Sequence, residues 1–419
     1  MRIALSSYRS KPHSGGQGIY VRNLSRELVN LGHEVEVFSG QPYPELDEGV
    51  GLTRLPSLDL YRPEDPFRRP ARQEFRDGID VLEFLTMCTS GFPEPRTFSM
   101  RLARHLSDKL SDFDVLHDNQ TLGPGLLQLA RRGMPVLTTI HHPISQDRRL
   151  ELADAHGWSK ITKRRWYGFV AMQRRVAQRC EHLLTVSEQS ARDIVTDFGV
   201  RPERLDVVPV GVDVDTFTPM PYADRVPGRL VAIVSADVPL KGLSVLIAAL
   251  SRLDRARWSE LVVVGTPSDK TQKALADAGL LDRVRFEQGL PTDELAALMA
   301  SAQVHVVPSL YEGFSLPTVE AMSCGTALVA SRVGALPELL ASTSAISQGD
   351  GPGLLVAPGD PDALADALAD LLADPERCAR MGEVGRERAV STYSWASVAR
   401  ATAAVYQRVI DQHRKKDSA

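Results

Sequence analysis

Cysteine is scarce in this chain of 419 residues: Cys88, Cys180, Cys324 and Cys378 stand far apart, with no CxxC pair and no zinc-ligand spacing. No metal-stapled scaffold is expected, and reduced, partly buried thiols in a cytoplasmic protein are the simplest account. Positive charge is not in excess either. The net charge of −4 leaves no basic footprint, so nucleic acid is not an expected partner. No apolar stretch reaches the roughly 18 residues that cross a bilayer, and Met1 to Ser6 runs straight into a strand-like segment too short for a signal peptide. Also missing is the dinucleotide-binding fingerprint, because Gly15-Gly16-Gln17-Gly18 has a different spacing.

What is present fits a soluble globular protein: 43% hydrophobic and 24% charged residues, in a length that suggests two or three domains. Ile3 to Ser7 reads as a strand, the glycines as a turn, Ile19 to Leu31 as a helix and Glu34 to Phe38 as a second strand. That unit is typical of doubly wound sheets. Gly15 and Gly16 would let backbone approach a ligand closely, although a plain tight turn fits equally well. Residues 41 to 112 are Pro- and Arg-rich and poorly periodic, and are read as irregular chain with one helix near Ser99 to Leu110. Strand Val136 to Ile140 ends in His141, at the carboxyl end of a strand where ligands of α/β sheets gather. Between Arg148 and Arg179 nine basic residues face two acidic ones, Glu151 and Asp154, with Trp166, Tyr167 and Phe169 among them. The segment fits a solvated helix face, or peripheral contact with the inner face of a membrane.

A domain boundary is placed near residue 220. The expected domains are 1–220, 221–395 and a closing helix over 396–419 that returns to the first. Strands and helices alternate through the second half. Within it, the strand Val304 to Val307 empties into Tyr311-Glu312-Gly313-Phe314-Ser315-Leu316-Pro317-Thr318-Val319-Glu320, where a helix is expected to open with Ser315 as N-cap and Gly325 as its stop. Such a helix terminus attracts anions. With Glu312 before the cap and Glu320 roughly 7–8 Å along the axis, a sugar nucleotide would account for the pattern, and a solvated glutamate on an ordinary helix is the plain alternative.

These residues, together with Lys241-Gly242 and the helix after it, resemble the glycosyltransferases of family 4. Gly15-Gly16, His141, Val186-Ser187 and Val208 to Asp213 match that family more loosely. The resemblance implies an α/β GT-B fold, two Rossmann-like doubly wound domains facing across a cleft, and retaining transfer from a nucleotide-sugar donor, UDP-sugar foremost, to an unidentified carbohydrate, lipid-linked or small-molecule acceptor. It implies donor contacts at Gly15, Gly16, Lys241, Phe286, Glu312, Gly313, Phe314, Ser315, Leu316 and Glu320. His141, Lys241 and Glu312 would act at the reacting centre. No cofactor and no metal are expected, because the DxD spellings at Asp112-Phe113-Asp114 and Asp213-Val214-Asp215 read as turns or strand ends. One position departs from the family: the arginine five residues before the lysine is Ala236. Arg283, Arg332 or Arg9, or a shifted backbone, is expected to replace it, since losing one preorganised donor to a developing anion costs about 3–4 kcal/mol. A nucleotide-sugar epimerase, a sugar phosphorylase and a non-catalytic sugar-nucleotide sensor stay open as alternatives.

Overall fold

The computed structural model describes residues 1–10, 16–234, 239–341 and 351–417. The chain divides into two compact units, Met1–Pro209 with Val398–Ala419, and Val210–Ser397. The first unit therefore ends before the boundary expected near residue 220. Val212 donates its N–H to the Tyr393 carbonyl, and Phe217 enters the hydrophobic core of the second unit, so this turn packs with the second sheet and not the first.

In the first unit the strands are β1 (Arg2–Ser7), β2 (Glu34–Ser39), β3 (Gly51–Arg54), β4 (Val115–Asn119), β5 (Val136–Ile140), β6 (His182–Thr185) and β7 (Leu205–Val207). They form a parallel sheet in the order β3-β2-β1-β4-β5-β6-β7. Its central strands are buried on both faces, which is why Ile3-Ala4-Leu5 reads as a continuous apolar run. The helices are α1 (Gly16–Asn30), α2 (Gly78–Cys88), α3 (Glu94–Leu106), α4 (Pro124–Arg131), α5 (Ser145–Asp154), α6 (Gly157–Trp166), α7 (Gly168–Ala177) and α8 (Glu188–Phe198). Residues 41–112 thus hold more structure than expected. Strand β3 is a short edge strand, and α2 is capped by the Asp77 carboxylate rather than announced by an apolar period. The expected helix near Ser99 to Leu110 starts earlier, at Glu94, because Pro95 fits the first turn.

The second unit repeats the topology. Its strands are β8 (Arg229–Ile233), β9 (Glu260–Val264), β10 (Val284–Glu287), β11 (Val304–Val307), β12 (Ala327–Ser331) and β13 (Gly353–Val356), in the order β10-β9-β8-β11-β12-β13. Around them lie α9 (Leu243–Leu250), α10 (Asp269–Asp277), α11 (Thr292–Ser301), α12 (Leu316–Ser323), α13 (Leu336–Leu340), α14 (Pro361–Ala373) and α15 (Pro375–Arg388). The chain closes with α16 (Trp395–Asp417), which from Val398 on belongs to the first unit, where Tyr406 hydrogen-bonds His117 at 2.6 Å. In each sheet the strand order reverses between the first strand and the fourth. Ligands of doubly wound sheets bind at that point, beyond the carboxyl ends of the strands.

Candidate active site

At the reversal point of the second sheet two loops are locked together. Gly242, after β8, has a left-handed φ of 69°, and a Cβ there would stand 1.9 Å from the Pro308 carbonyl oxygen at the exit of β11. Only glycine allows that approach. Leu310 donates its N–H to the Leu240 carbonyl at 2.7 Å, which fixes the register of the two loops. Lys241 Nζ consequently reaches Glu312 Oε1 at 2.6 Å, and Ser309 Oγ donates to the same oxygen at 2.8 Å. Glu312 is buried, and its Oε2 has no hydrogen-bond partner among the described residues. Its backbone is held as well. A Cβ on Gly334, at φ 54°, would lie 1.6 Å from the Glu312 carbonyl, to which Ala335 donates its N–H.

Helix α12 opens next to this cluster. Ser315 is its N-cap residue, as expected, but its side chain makes no capping bond and instead accepts a hydrogen bond from Thr318 Oγ1 at 2.8 Å. The positive end of the helix therefore has no side-chain cap. Glu320, on the same helix, is half-buried, and loss of water pushes its carboxyl up to about 7. Burial alone is the cause, with no cation among the described residues to offset it. A carboxyl in that state is stabilised by hydroxyl donors. Gly325, at φ 63°, ends the helix.

The remaining expected contacts fall in several places. Phe314 packs edge-on to Tyr393 at 6.3 Å, and Phe314 and Leu316 lean on the hydrophobic core, so what they can offer a ligand is mainly backbone. Phe286, on the edge strand β10, is half-buried against the other core cluster. Arg285 beside it is tied to Glu260 at 3.0 Å and to Glu287. Gly313 precedes the cap. Over Gly16, the first residue of α1, a Cβ would meet no described residue within 4 Å. Gly15 and Ala236 lie outside the described residues.

Among the substitutes named for the missing arginine, Arg283 does not fit. It sits at the amino end of β10, away from the carboxyl edge, and Nη1 donates to the carbonyls of Arg255 and Trp258. Arg9 belongs to the first unit and pairs with the buried Glu94 at 3.7 Å. Arg332 directly follows β12 on the carboxyl side, where it is exposed and touches the Leu355 carbonyl at 3.3 Å.

In the first unit His141 follows β5. Its Nε2 lies 2.7 Å from Asn119 Oδ1 and its ring meets Tyr20 edge-on at 4.7 Å, while its N–H donates to Gln120 Oε1. The Asn119 amide nitrogen faces Ser7 Oγ and the Gln17 carbonyl, which turns Oδ1 toward the imidazole. The proton thus belongs on Nε2, and Nδ1 is an acceptor. Burial, helped by the neighbouring His142, pulls the His141 pKa down to about 3, so the ring is neutral. Sequence reading missed Ser309, Asn119 and Gln120. Their only signal was a polar residue at or just past the end of a buried strand.

The two DxD segments are structural. Asp114 accepts the Arg2 N–H at 2.7 Å, and Asp213 accepts the N–H groups of Asp215 and Thr216 in a local turn. Among the described residues no three His, Cys, Asp or Glu side chains are grouped as a metal site. No described helix is long and apolar enough to cross a membrane.

Residues 14–216 match the family described as Glycosyltransferase Family 4, and residues 223–388 match Glycosyl transferases group 1. The MMP alpha-(1->4)-mannosyltransferase of Mycolicibacterium hassiacum is 56% identical over 413 residues, 98% of either chain. A D-inositol 3-phosphate glycosyltransferase of Frankia alni is 31% identical over 95% of both. In fold, the chain is similar to a sucrose-phosphate synthase from Thermosynechococcus elongatus, with a TM-score of 0.69 and 23% identity over 98% of this chain and 99% of that one. It is also similar to Anabaena HepE, solved with UDP, with a TM-score of 0.67 and 16% identity over 97% and 100%. The chain belongs to glycosyltransferase family 4 and is a glycosyltransferase of the GT-B fold.

Proposed function

We propose that the chain transfers a mannosyl unit from a nucleoside diphosphate sugar to a hydroxyl of a mannoside acceptor, with retention and without a metal. The observation that carries the donor reading is the cluster of Lys241, Ser309 and Glu312 beside the uncapped tip of α12. The mannose is supported by the relative at 56% identity, whose name specifies α-(1→4)-mannosyl transfer. Uridine is the base that the family resemblance implies, and HepE, of the same fold, is solved with UDP.

In this reading Glu320 takes the ribose diol and Oε2 of Glu312 takes sugar hydroxyls. Neutral His141 offers Nδ1 to a further sugar hydroxyl. The bond from the anomeric carbon to the diphosphate oxygen breaks as the bond to the acceptor oxygen forms, and the acceptor's proton passes to the departing phosphate. Lys241 and the α12 terminus offset the charge that develops there. Glu312 is not the nucleophile in this reading, because Oε1 is held by an ammonium and a hydroxyl and Oε2 is engaged by sugar hydroxyls. Of the three arginines named as substitutes, Arg332 remains to take the place of the absent one.

The test is turnover of UDP- and GDP-sugars with an α-mannoside acceptor in excess chelator, with the product linkage read by NMR. We expect an α-(1→4)-linked product. Use of the guanosine donor alone would correct the base and keep the transferase reading; loss of activity with chelator, restored by manganese, would overturn metal independence. A β-linked product would overturn retention. Arg332→Ala should lower turnover about 100-fold or more; full activity would remove it from the diphosphate.

A further inference from the structure

The first unit holds a groove of about 340 Å³ that the transfer chemistry does not use. Phe92, Phe169 and Met172 form its apolar wall, and Arg96, Arg165 and Arg175 its rim. All three arginines are exposed, and none is paired with a carboxylate among the described residues; Arg165 is positioned by Thr89 Oγ1 at 3.1 Å. The groove opens where α3, α4 and α7 begin, since Pro93, Pro124 and Gly168 also line it. In an alternating α/β unit those starts lie on the carboxyl side of the sheet, the side that carries His141 and Gly16.

From the groove a ladder of rings leads outward. Phe169 meets Phe92 at 5.2 Å, Phe92 meets Trp166 at 5.1 Å, Trp166 meets Tyr61 at 5.5 Å, and Tyr61 meets Phe67 at 5.5 Å. Phe67 closes the ladder in left-handed backbone, φ 64°, which a phenylalanine rarely adopts, and it is 59% exposed. Aromatic faces flanked by planar donors suit a pyranose, which has an apolar C–H face and a hydroxyl edge.

An enzyme that adds α-(1→4)-linked units makes a product that serves as its next acceptor, and the older end of that chain must lie somewhere on the surface. We infer that the groove bounded by Phe92, Phe169, Arg96 and Arg165 is a second saccharide site, which holds an α-(1→4)-linked mannoside chain beyond its reacting unit. This rests on the mannosyltransferase reading. The site makes the enzyme prefer long acceptors without taking part in chemistry.

The experiment compares α-(1→4)-mannosides of two and eight units as acceptors for the intact protein and for the double variant Arg96→Ala/Arg165→Ala, both sites being exposed. In the variant we expect the KM of the octamer to rise about tenfold, with its kcat and the KM of the dimer unchanged. Octamer alone should also quench Trp166 fluorescence in the native protein and not in the variant. Equal effects on dimer and octamer, or none on either, would overturn the site. Exposed Trp158 and Ile161 on α6 make a lipid surface the competing occupant. Binding to phosphatidylglycerol vesicles that the variant loses, with octamer KM unmoved, would assign the groove to lipid and overturn the saccharide site. If no mannoside is accepted at all, the mannosyltransferase reading fails and takes this site with it; if mannosides react and the variant is silent, only the groove assignment falls.

Discussion

In the proposed reading Lys241, Glu312 and Glu320 divide the donor's needs among them. The ammonium of Lys241 is the group whose loss should tell most on rate: Lys241→Ala should lower kcat by roughly 100- to 1,000-fold, and steady-state kinetics with saturating donor would show it. Glu320 has the opposite character, a carboxyl whose burial no charge offsets. Because burial raises its pKa, the folded chain binds that proton more tightly than the unfolded chain does. Stability is therefore full below the ordinary value of 4.5 and declines as pH rises through about 7. Glu320→Gln removes this penalty. Thermal or urea unfolding at pH 8 should find the variant more stable by roughly 1–3 kcal/mol, and at pH 4 the difference should vanish. A variant no more stable than the native chain at pH 8 would mean that the native carboxyl is hydrated or paired. His141, pulled down to about 3, should contribute no inflection to the activity profile between pH 5 and 8.

At the scale of elements, the two glutamates were legible because the spacing of strand, loop and helix is local information. Glu312 in the loop before α12, Pro317 in its first turn, Glu320 within it and Gly325 just past its C-cap follow the order the sequence implies. What pins Glu312 was not legible. Ser309 is an unremarkable hydroxyl until β11 turns it toward the carboxylate, and Gly334 matters only because a distant segment passes within bonding range of the Glu312 carbonyl. Likewise α2 and β3 were missed since one is fixed by an Asp77 cap and ion pairs, the other by an edge of the sheet, and neither shows in apolar periodicity. The loop lock at Gly242 gives an element-scale prediction. Gly242→Ala forces a Cβ toward the Pro308 carbonyl at a left-handed φ, so thermal unfolding should show a loss of roughly 1–3 kcal/mol, with weaker donor binding because Lys241 shifts. Unchanged stability and affinity would show the lock to be pliable.

Across the whole molecule the same plan appears twice, a parallel doubly wound sheet reversing between its first and fourth strands. That repetition was legible from the alternation of apolar runs and glycine turns, because parallel strands buried on both faces cannot hide their hydrophobicity. What seats the closing helix needed the structure. Tyr406 on α16 is fully buried and hydrogen-bonds His117 of β4, whose other nitrogen is 2.6 Å from Thr139. Tyr406→Phe leaves His117 Nδ1 without its partner and should cost roughly 1–3 kcal/mol in chemical denaturation; no change would mean that packing alone seats the helix.

The most direct measurement is calorimetric titration of the intact protein with the nucleoside diphosphate sugar it turns over, beside Lys241→Ala and Glu320→Gln. We expect each substitution to weaken binding about tenfold or more, the loss expected when a charged hydrogen-bond partner goes. Native affinity in both variants would contradict a donor held at Lys241 and Glu320.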